Sequence, residues 1–147
     1  MKGPSKPWFI LSVSLCSALL LAGCGGKGGA KGVKVQGQLL QNGQPLKFLP
    51  NEEITVSFSP VDAAGKAAGG TGPVKQEDGT FTVSTAAGVG IPPGKYQVRV
   101  SSQVYGGDGK DRFAEFFEGV GALATDVDDK DAQKFVIDIG KKTVTKQ

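Results

Sequence analysis

The sequence predicts an all-β fold, a sandwich of roughly seven short antiparallel strands with one short helix on a crossover. Three observations point there. From Val33 onward, apolar and polar residues alternate in short runs, the period of a strand with one buried face. Turn dipeptides such as Asn42-Gly43 and Asp78-Gly79 separate those runs. Only one stretch has the spacing of a helix. A sheet with one apolar face needs a second sheet to cover it, so a sandwich follows rather than a helical bundle or an α/β fold.

The elements follow in chain order. Val33–Leu40 alternates at its start and reads as the first strand, with Asn42-Gly43 turning the chain because both residues tolerate positive φ. Ile54–Ser59 sets Ile54, Val56 and Phe58 on one face, and Pro60 ends the run. Asp62–Gly72 is rich in Ala and Gly and reads as a long loop, followed by a short run at Pro73–Gln76 that pairs with what comes next. Asp78-Gly79 turns into Thr80–Ser84, with Phe81 and Val83 facing one way. Ile91-Pro92-Pro93-Gly94 is a rigid turn leading into Lys95–Ser102, where Tyr96, Val98 and Val100 point in and Gln97, Arg99 and Ser101 point out. Asp111–Glu118 is the helical stretch: Phe113, Phe116 and Phe117 fall at i, i+3 and i+4, Asp111 caps the start and Gly119 ends it. Strands at Ala122–Val127 and Lys134–Ile139 complete the set, the last with Phe135, Ile137 and Ile139 on one face. The sandwich domain is thus expected over residues 33–141, with 142–147 as a C-terminal tail.

The central half also has a recurring grammar: Val35-x-Gly37, Asn42-Gly43-x-Pro45-Leu46, Val56-x-Phe58-x-Pro60, Asp78-Gly79-x-Phe81 and Pro93-Gly94-Lys95-Tyr96-x-Val98-x-Val100. Over roughly Val33–Ser102 this resembles the transthyretin-like and carboxypeptidase-regulatory-like β-sandwich modules, particularly small bacterial lipoproteins that carry one such module. Pro73-Val74-Lys75-Gln76 departs from the pattern, where family members often have Thr-Asp before the Asp-Gly turn. The resemblance implies a scaffold, in a family whose members serve accessory, adhesive or carbohydrate-associated roles. Neither hormone binding nor peptidase catalysis is implied, because no residue matches those sites.

The front end has the order of an export signal: Lys2 and Lys6, an apolar run from Trp8 to Leu21, then small residues. That run is shorter than the roughly 20 residues needed to cross a bilayer core as a helix. Leu21-Ala22-Gly23-Cys24 resembles the lipobox of bacterial lipoproteins. The resemblance implies a signal peptide over residues 1–23, cleavage before Cys24, diacylation of its thiol (palmitate being a usual chain) and acylation of the new amino terminus. Two alternatives stay open: an ordinary cut one residue later, with Ala22 and Cys24 at the small-residue places, and an uncleaved anchor. Cys16 falls within the signal, so processing leaves Cys24 alone, and lipidation would consume a thiol that secreted proteins tend to avoid. One acyl chain binds membranes only marginally, whereas two or more hold firmly. Residues 24–32 then form a Gly-rich tether. Gly25 is not the Asp that favours inner-membrane retention in enterobacterial lipoproteins, which leaves the outer membrane and the periplasmic face of the inner membrane both open.

Composition limits the function. Without residues 1–23 the chain keeps 15 basic side chains against 14 acidic ones, which gives no electrostatic case for nucleic acid. There is no His, which removes Ser-His and Cys-His nucleophiles, the usual zinc ligands and the commonest general base, and points away from an enzyme. Trp8, the one Trp, lies in the signal, which weakens the case for a sugar-stacking platform.

Five candidate features stand beside plainer readings. Asp126, Asp128, Asp129 and Asp131 offer oxygens of the kind that suit Ca²⁺, but Lys130, Asp131 and Ile137 occupy the places where the EF-hand loop needs an oxygen ligand, Gly and Glu. A solvated inter-strand turn is the plainer reading, and no cofactor or metal is expected. Tyr105 in a Gly-rich loop has a ring able to stack on a sugar. Gly106–Gly109 lacks the Lys-Ser/Thr of a phosphate loop. Phe113, Phe116 and Phe117 read first as a packing stripe, and Glu115 and Glu118 as solvated helix charges rather than an acid–base pair. The sequence therefore points to a membrane-anchored, non-enzymatic interaction or structural module of the cell envelope. Envelope proteins or glycans are its expected partners, and the alternative role is a carbohydrate-binding accessory module.

Overall fold

Alternate burial along the strands decides the architecture. In the computed structural model, which describes residues 32–61, 68–88, 90–114 and 123–147, the chain forms nine strands. They are β1 (Lys34–Gln41), β2 (Gln44–Pro45), β3 (Glu52–Pro60), β4 (Gly70–Pro73), β5 (Thr80–Val83), β6 (Gly94–Val104), β7 (Leu123–Val127), β8 (Ala132–Asp138) and β9 (Thr143–Lys146). One sheet has β1 at its centre, with β8 and then β9 on one side and β5 and β2 on the other. The second runs β4-β3-β6-β7, antiparallel throughout. Between them lie Val35 and Leu39, Ile54, Val56 and Phe58, Phe81 and Val83, Tyr96, Val98 and Val100, Phe135, Ile137 and Ile139, all buried. Each such side chain contributes about 1.5–3 kcal/mol by leaving water.

The all-β expectation holds, with three corrections. The first sheet is mixed, because β1 and β8 run parallel from Lys34↔Ala132 to Leu40↔Asp138. The expected tail at 142–147 contains β9, an edge strand on β8, and β2 is a further short strand. β4 starts at Gly70, so the latter part of the expected loop is strand, while residues 62–67 lie outside the described residues. Where the helix is expected to start, Asp111 Oδ1 accepts the Phe113 N–H at 2.9 Å and the Ser102 N–H at 3.0 Å. The rest of the expected helix, with Glu115, Phe116, Phe117 and Glu118, lies outside the described residues, as do residues 1–31.

The two sheets are joined along one side. Thr71 and Ser84 exchange a pair of backbone hydrogen bonds of 2.9 Å each, so the β4–β5 hairpin passes from the second sheet to the first. Glycine makes this approach possible: a Cβ on Gly70 would stand 2.6 Å from Ile91 Cγ2 and 2.7 Å from Val83 Cγ1. On the opposite side, Lys146 Nζ lies 2.8 Å from Asp128 Oδ2, bringing β9 to the end of β7.

The Asn42-Gly43 turn has φ of 54° and 80°, the backbone a two-residue hairpin requires. Its amides are held by a buried carboxylate, since Asp138 accepts Asn42 N–H at 2.8 Å and Gly43 N–H at 2.7 Å. Burial alone would raise the Asp138 carboxyl, but hydrogen bonds from the Lys141, Asn42 and Gly43 amides outweigh it and hold it below its ordinary 3.8. A depressed value contributes stability that is present above the unfolded value and lost as pH falls through the folded one. Asp138→Asn is therefore expected to cost about 1.5–3 kcal/mol near neutral pH. The deficit should shrink below the unfolded value as the native carboxylate is itself protonated. Urea midpoints at neutral and strongly acid pH would check this, and equal deficits at both would mean the charge does not hold the turn.

Candidate functional site

The strands give the two-sheet domain two poles. At one, Gly32 leads into Val33, which exchanges backbone hydrogen bonds with Ile91, and Lys34 N–H reaches the Asp131 carbonyl. β1 then carries the chain about 25 Å, at roughly 3.3 Å per residue, to the other pole. There β3 begins, β6 ends, and the loops at 46–51, 76–79 and 105–112 gather.

That second pole is built around an ion pair whose carboxylate is buried and whose guanidinium is half-buried. Glu52 falls in phase with Ile54, Val56 and Phe58, so its side chain points into the core side and is fully buried. Arg112 meets it with two nitrogens, Nε 2.6 Å from Oε1 and Nη2 2.8 Å from Oε2. Nη2 also donates to the Lys47 carbonyl at 3.0 Å, and Leu49 N–H donates to Oε2 at 2.8 Å. The guanidinium lies 4.6 Å from the centre of the Phe113 ring. One arginine thus ties two loops to the start of β3.

Tyr105 stands beside this pair. Its N–H donates to the Asn51 carbonyl at 3.0 Å, extending the β3–β6 ladder, and its hydroxyl donates to Glu53 Oε2 at 2.7 Å. Asn51 has φ of 58°, a left-handed conformation Asn tolerates. Gln76 Nε2 donates to the Glu52 carbonyl at 2.9 Å. Asn51, Glu52, Glu53, Val74, Gln76 and Tyr105 together line a depression of about 420 Å³. The Glu53 hydrogen bond, and then its charge, raises the Tyr105 hydroxyl above its ordinary 10.0, so the phenol stays protonated as a donor. Two of the three exposed large apolar side chains among the described residues, Leu49 (47 %) and Tyr105 (57 %), are at this pole.

The acidic turn lies at the pole where β1 begins. Asp126 is exposed on β7 opposite Lys95, and Asp129 and Asp131 are exposed. Asp128 accepts Lys146 Nζ at 2.8 Å, with Lys130 Nζ at 4.0 Å; the Lys146 bond is the main cause holding its carboxyl below 3.8. Among the described residues, no group of three or more His, Cys, Asp or Glu is arranged to hold a metal ion. Cys24 lies outside the described residues.

Sequence reasoning singled out Tyr105 but neither Glu52 nor Arg112. A signal for Glu52 existed: a carboxylate in the core phase of an alternating strand requires a buried partner. Arg112 carried none, because the pairing joins residues from distant parts of the chain. No protein-family model, no curated protein and no solved structure matches this chain.

Proposed function

We propose that the protein is a non-enzymatic lipoprotein of the bacterial cell envelope, its β-sandwich held to a membrane through Cys24 and offering its far pole to partners. We further propose that the sandwich is a transthyretin-like or carboxypeptidase-regulatory-like module standing alone. The observation that carries the reading is polarity. The lipobox-like Leu21-Ala22-Gly23-Cys24 stands a few residues before Gly32, where the domain begins. Tyr105, Glu53 and Leu49 sit at the other end of β1 and β3. A protein anchored at Cys24 therefore carries the depression at the pole remote from its attachment point, on a Gly-rich tether that leaves the domain free to tumble. The absence of His and the near-neutral charge of the mature chain favour a binding role over catalysis or nucleic-acid contact.

The test is intact mass on protein extracted from membranes of a lipoprotein-competent bacterium, beside Cys24→Ala. The expected result is a chain beginning at Cys24 with added acyl mass, and loss of both acylation and that cleavage in the variant. A chain cut elsewhere and carrying a free thiol would overturn the anchor.

A further inference from the structure

We infer that the depression around Tyr105 binds a neutral sugar ring, making the far pole a glycan-recognition site. The inference deepens the reading of the far pole as a binding face, but it stands on the geometry of the depression and needs no anchor.

Three features converge on this ligand class. The first is a fixed aromatic surface. Tyr105 is 57 % exposed, yet it is held at both ends, through its N–H to Asn51 and its hydroxyl to Glu53. Exposed side chains ordinarily keep their rotamer freedom, and ordering one on binding costs about 0.5–1.5 kcal/mol. Here the ring is ordered beforehand, so a flat apolar face can meet it without that loss. The C–H face of a pyranose is such a surface, and aromatic rings bearing one polar edge suit ligands that are part apolar and part wet.

The second feature is the polar rim. Glu53 keeps a second carboxylate oxygen, Oε1, beyond the one that accepts the Tyr105 hydroxyl, and Asn51 and Gln76 bring amide groups to the same lining. Carboxylates accept hydroxyl hydrogen bonds strongly, and amides both donate and accept, which is the set a ring of vicinal hydroxyls requires. Val74 supplies the aliphatic part of the lining.

The third feature is charge. Among the described residues no cationic side chain lines the depression, and Arg112 behind it is committed to Glu52. Phosphate, uronate and anionic lipid headgroups would face Glu53 with no cation to offset it. The depression is also shallow and open, about 420 Å³, with polar and apolar surface in near-equal parts, whereas a protein hot spot centres on a desolvated apolar pocket. A small neutral polyol fits better than a protein surface.

The chain has two tyrosines, which gives a direct readout. Tyr96 is buried in the core and Tyr105 is in the site, so 3-fluorotyrosine labelling of the detergent-extracted full-length product yields one ¹⁹F resonance for each. Cellotetraose, maltotetraose and the tetramer of N-acetylglucosamine are titrated to millimolar concentration, with tetragalacturonate as the anionic comparison. The expected result is a saturable shift of the Tyr105 resonance with at least one neutral tetramer, an unmoved Tyr96 resonance, and binding of tetragalacturonate at least about ten-fold weaker. Saturation transfer to the sugar protons then reads the variants. Tyr105→Ala should weaken binding about ten-fold or more, Tyr105→Phe less, and Glu53→Gln should narrow the gap between neutral and anionic tetramers. Because Tyr105 and Glu53 are exposed, an unchanged Tyr96 resonance in Glu53→Gln confirms that the fold is intact. No shift of Tyr105 with any neutral tetramer overturns the inference, as does a shift moved equally by tetragalacturonate, or one produced only by envelope protein. None of these outcomes bears on the mass of the Cys24 anchor.

Discussion

Arg112→Ala is expected to destabilise the domain by about 3–5 kcal/mol, the cost of leaving a buried charge without its partner. The side chain of Glu52 is completely shielded from solvent, so loss of the guanidinium strands a carboxylate that keeps only the Leu49 amide. The cation–π contact with Phe113 and the bond to the Lys47 carbonyl go with it. Arg112→Lys should recover only part of the loss, because an ammonium cannot present two nitrogens to both carboxylate oxygens. The double replacement Glu52→Leu with Arg112→Leu should lie well above Arg112→Ala in stability, since removing both charges removes the desolvation cost as well. Urea unfolding of the set, read as a double-mutant cycle, gives the coupling. A loss below 1 kcal/mol in Arg112→Ala would mean that water reaches Glu52.

Phe135→Ala should cost a similar amount, about 3–5 kcal/mol, for a different reason. Phe135 is the contribution of the first sheet to an aromatic line through the core: its ring centre lies 5.7 Å from that of Phe58, which lies 6.2 Å from that of Tyr96. Both contacts are edge-to-face, the favoured geometry for aromatic pairs. Removing the ring opens a cavity between the sheets, and the surroundings have little room to close it. Gly37 on β1 lacks a Cβ, and the space a Cβ would need is already taken by the Phe81 ring and the Phe135 carbonyl. Phe135→Leu should cost less than about 1.5 kcal/mol, as volume is largely kept. Denaturant midpoints with unchanged slopes would establish both values, and near-equal losses in Ala and Leu would show that the ring itself is not what fills the space.

What the sequence disclosed follows from where side chains sit. β1, β3, β5, β6 and β8 were legible because each buries alternate apolar residues, and Asn42-Gly43 because its dihedral demand is rare. β4 was legible only in part. Its inward positions are Gly70 and Gly72, and the space their side chains would fill belongs to Ile91, Val83 and the β5 backbone, so the strand leaves no apolar period. β9 was missed because Thr143-Val144-Thr145-Lys146 is an edge strand with no deeply buried residue. The parallel partnership of β1 and β8 is non-local, and no run of residues encodes it. At the candidate site, Tyr105 was visible as a lone aromatic in a glycine loop. The depression was not, since Asn51, Glu53 and Gln76 come from separate elements and acquire meaning only when β3 and β6 pair.

That parallel partnership also governs how the chain must acquire its structure. Among the described strands β1 is synthesised first and is the central strand of its sheet, and its neighbour β8 is nearly the last. Whatever delivers the chain from its amino end, ribosome or export channel, supplies β1 long before β8. Until residues 132–147 arrive, one edge of β1 carries open N–H and C=O groups, the kind of edge that pairs with other chains. Closing so long a loop late places folding on the order of milliseconds to seconds, the range of domains dominated by distant contacts. A chain stopped before Ala132 therefore loses the central pairing of its first sheet rather than a dispensable rim.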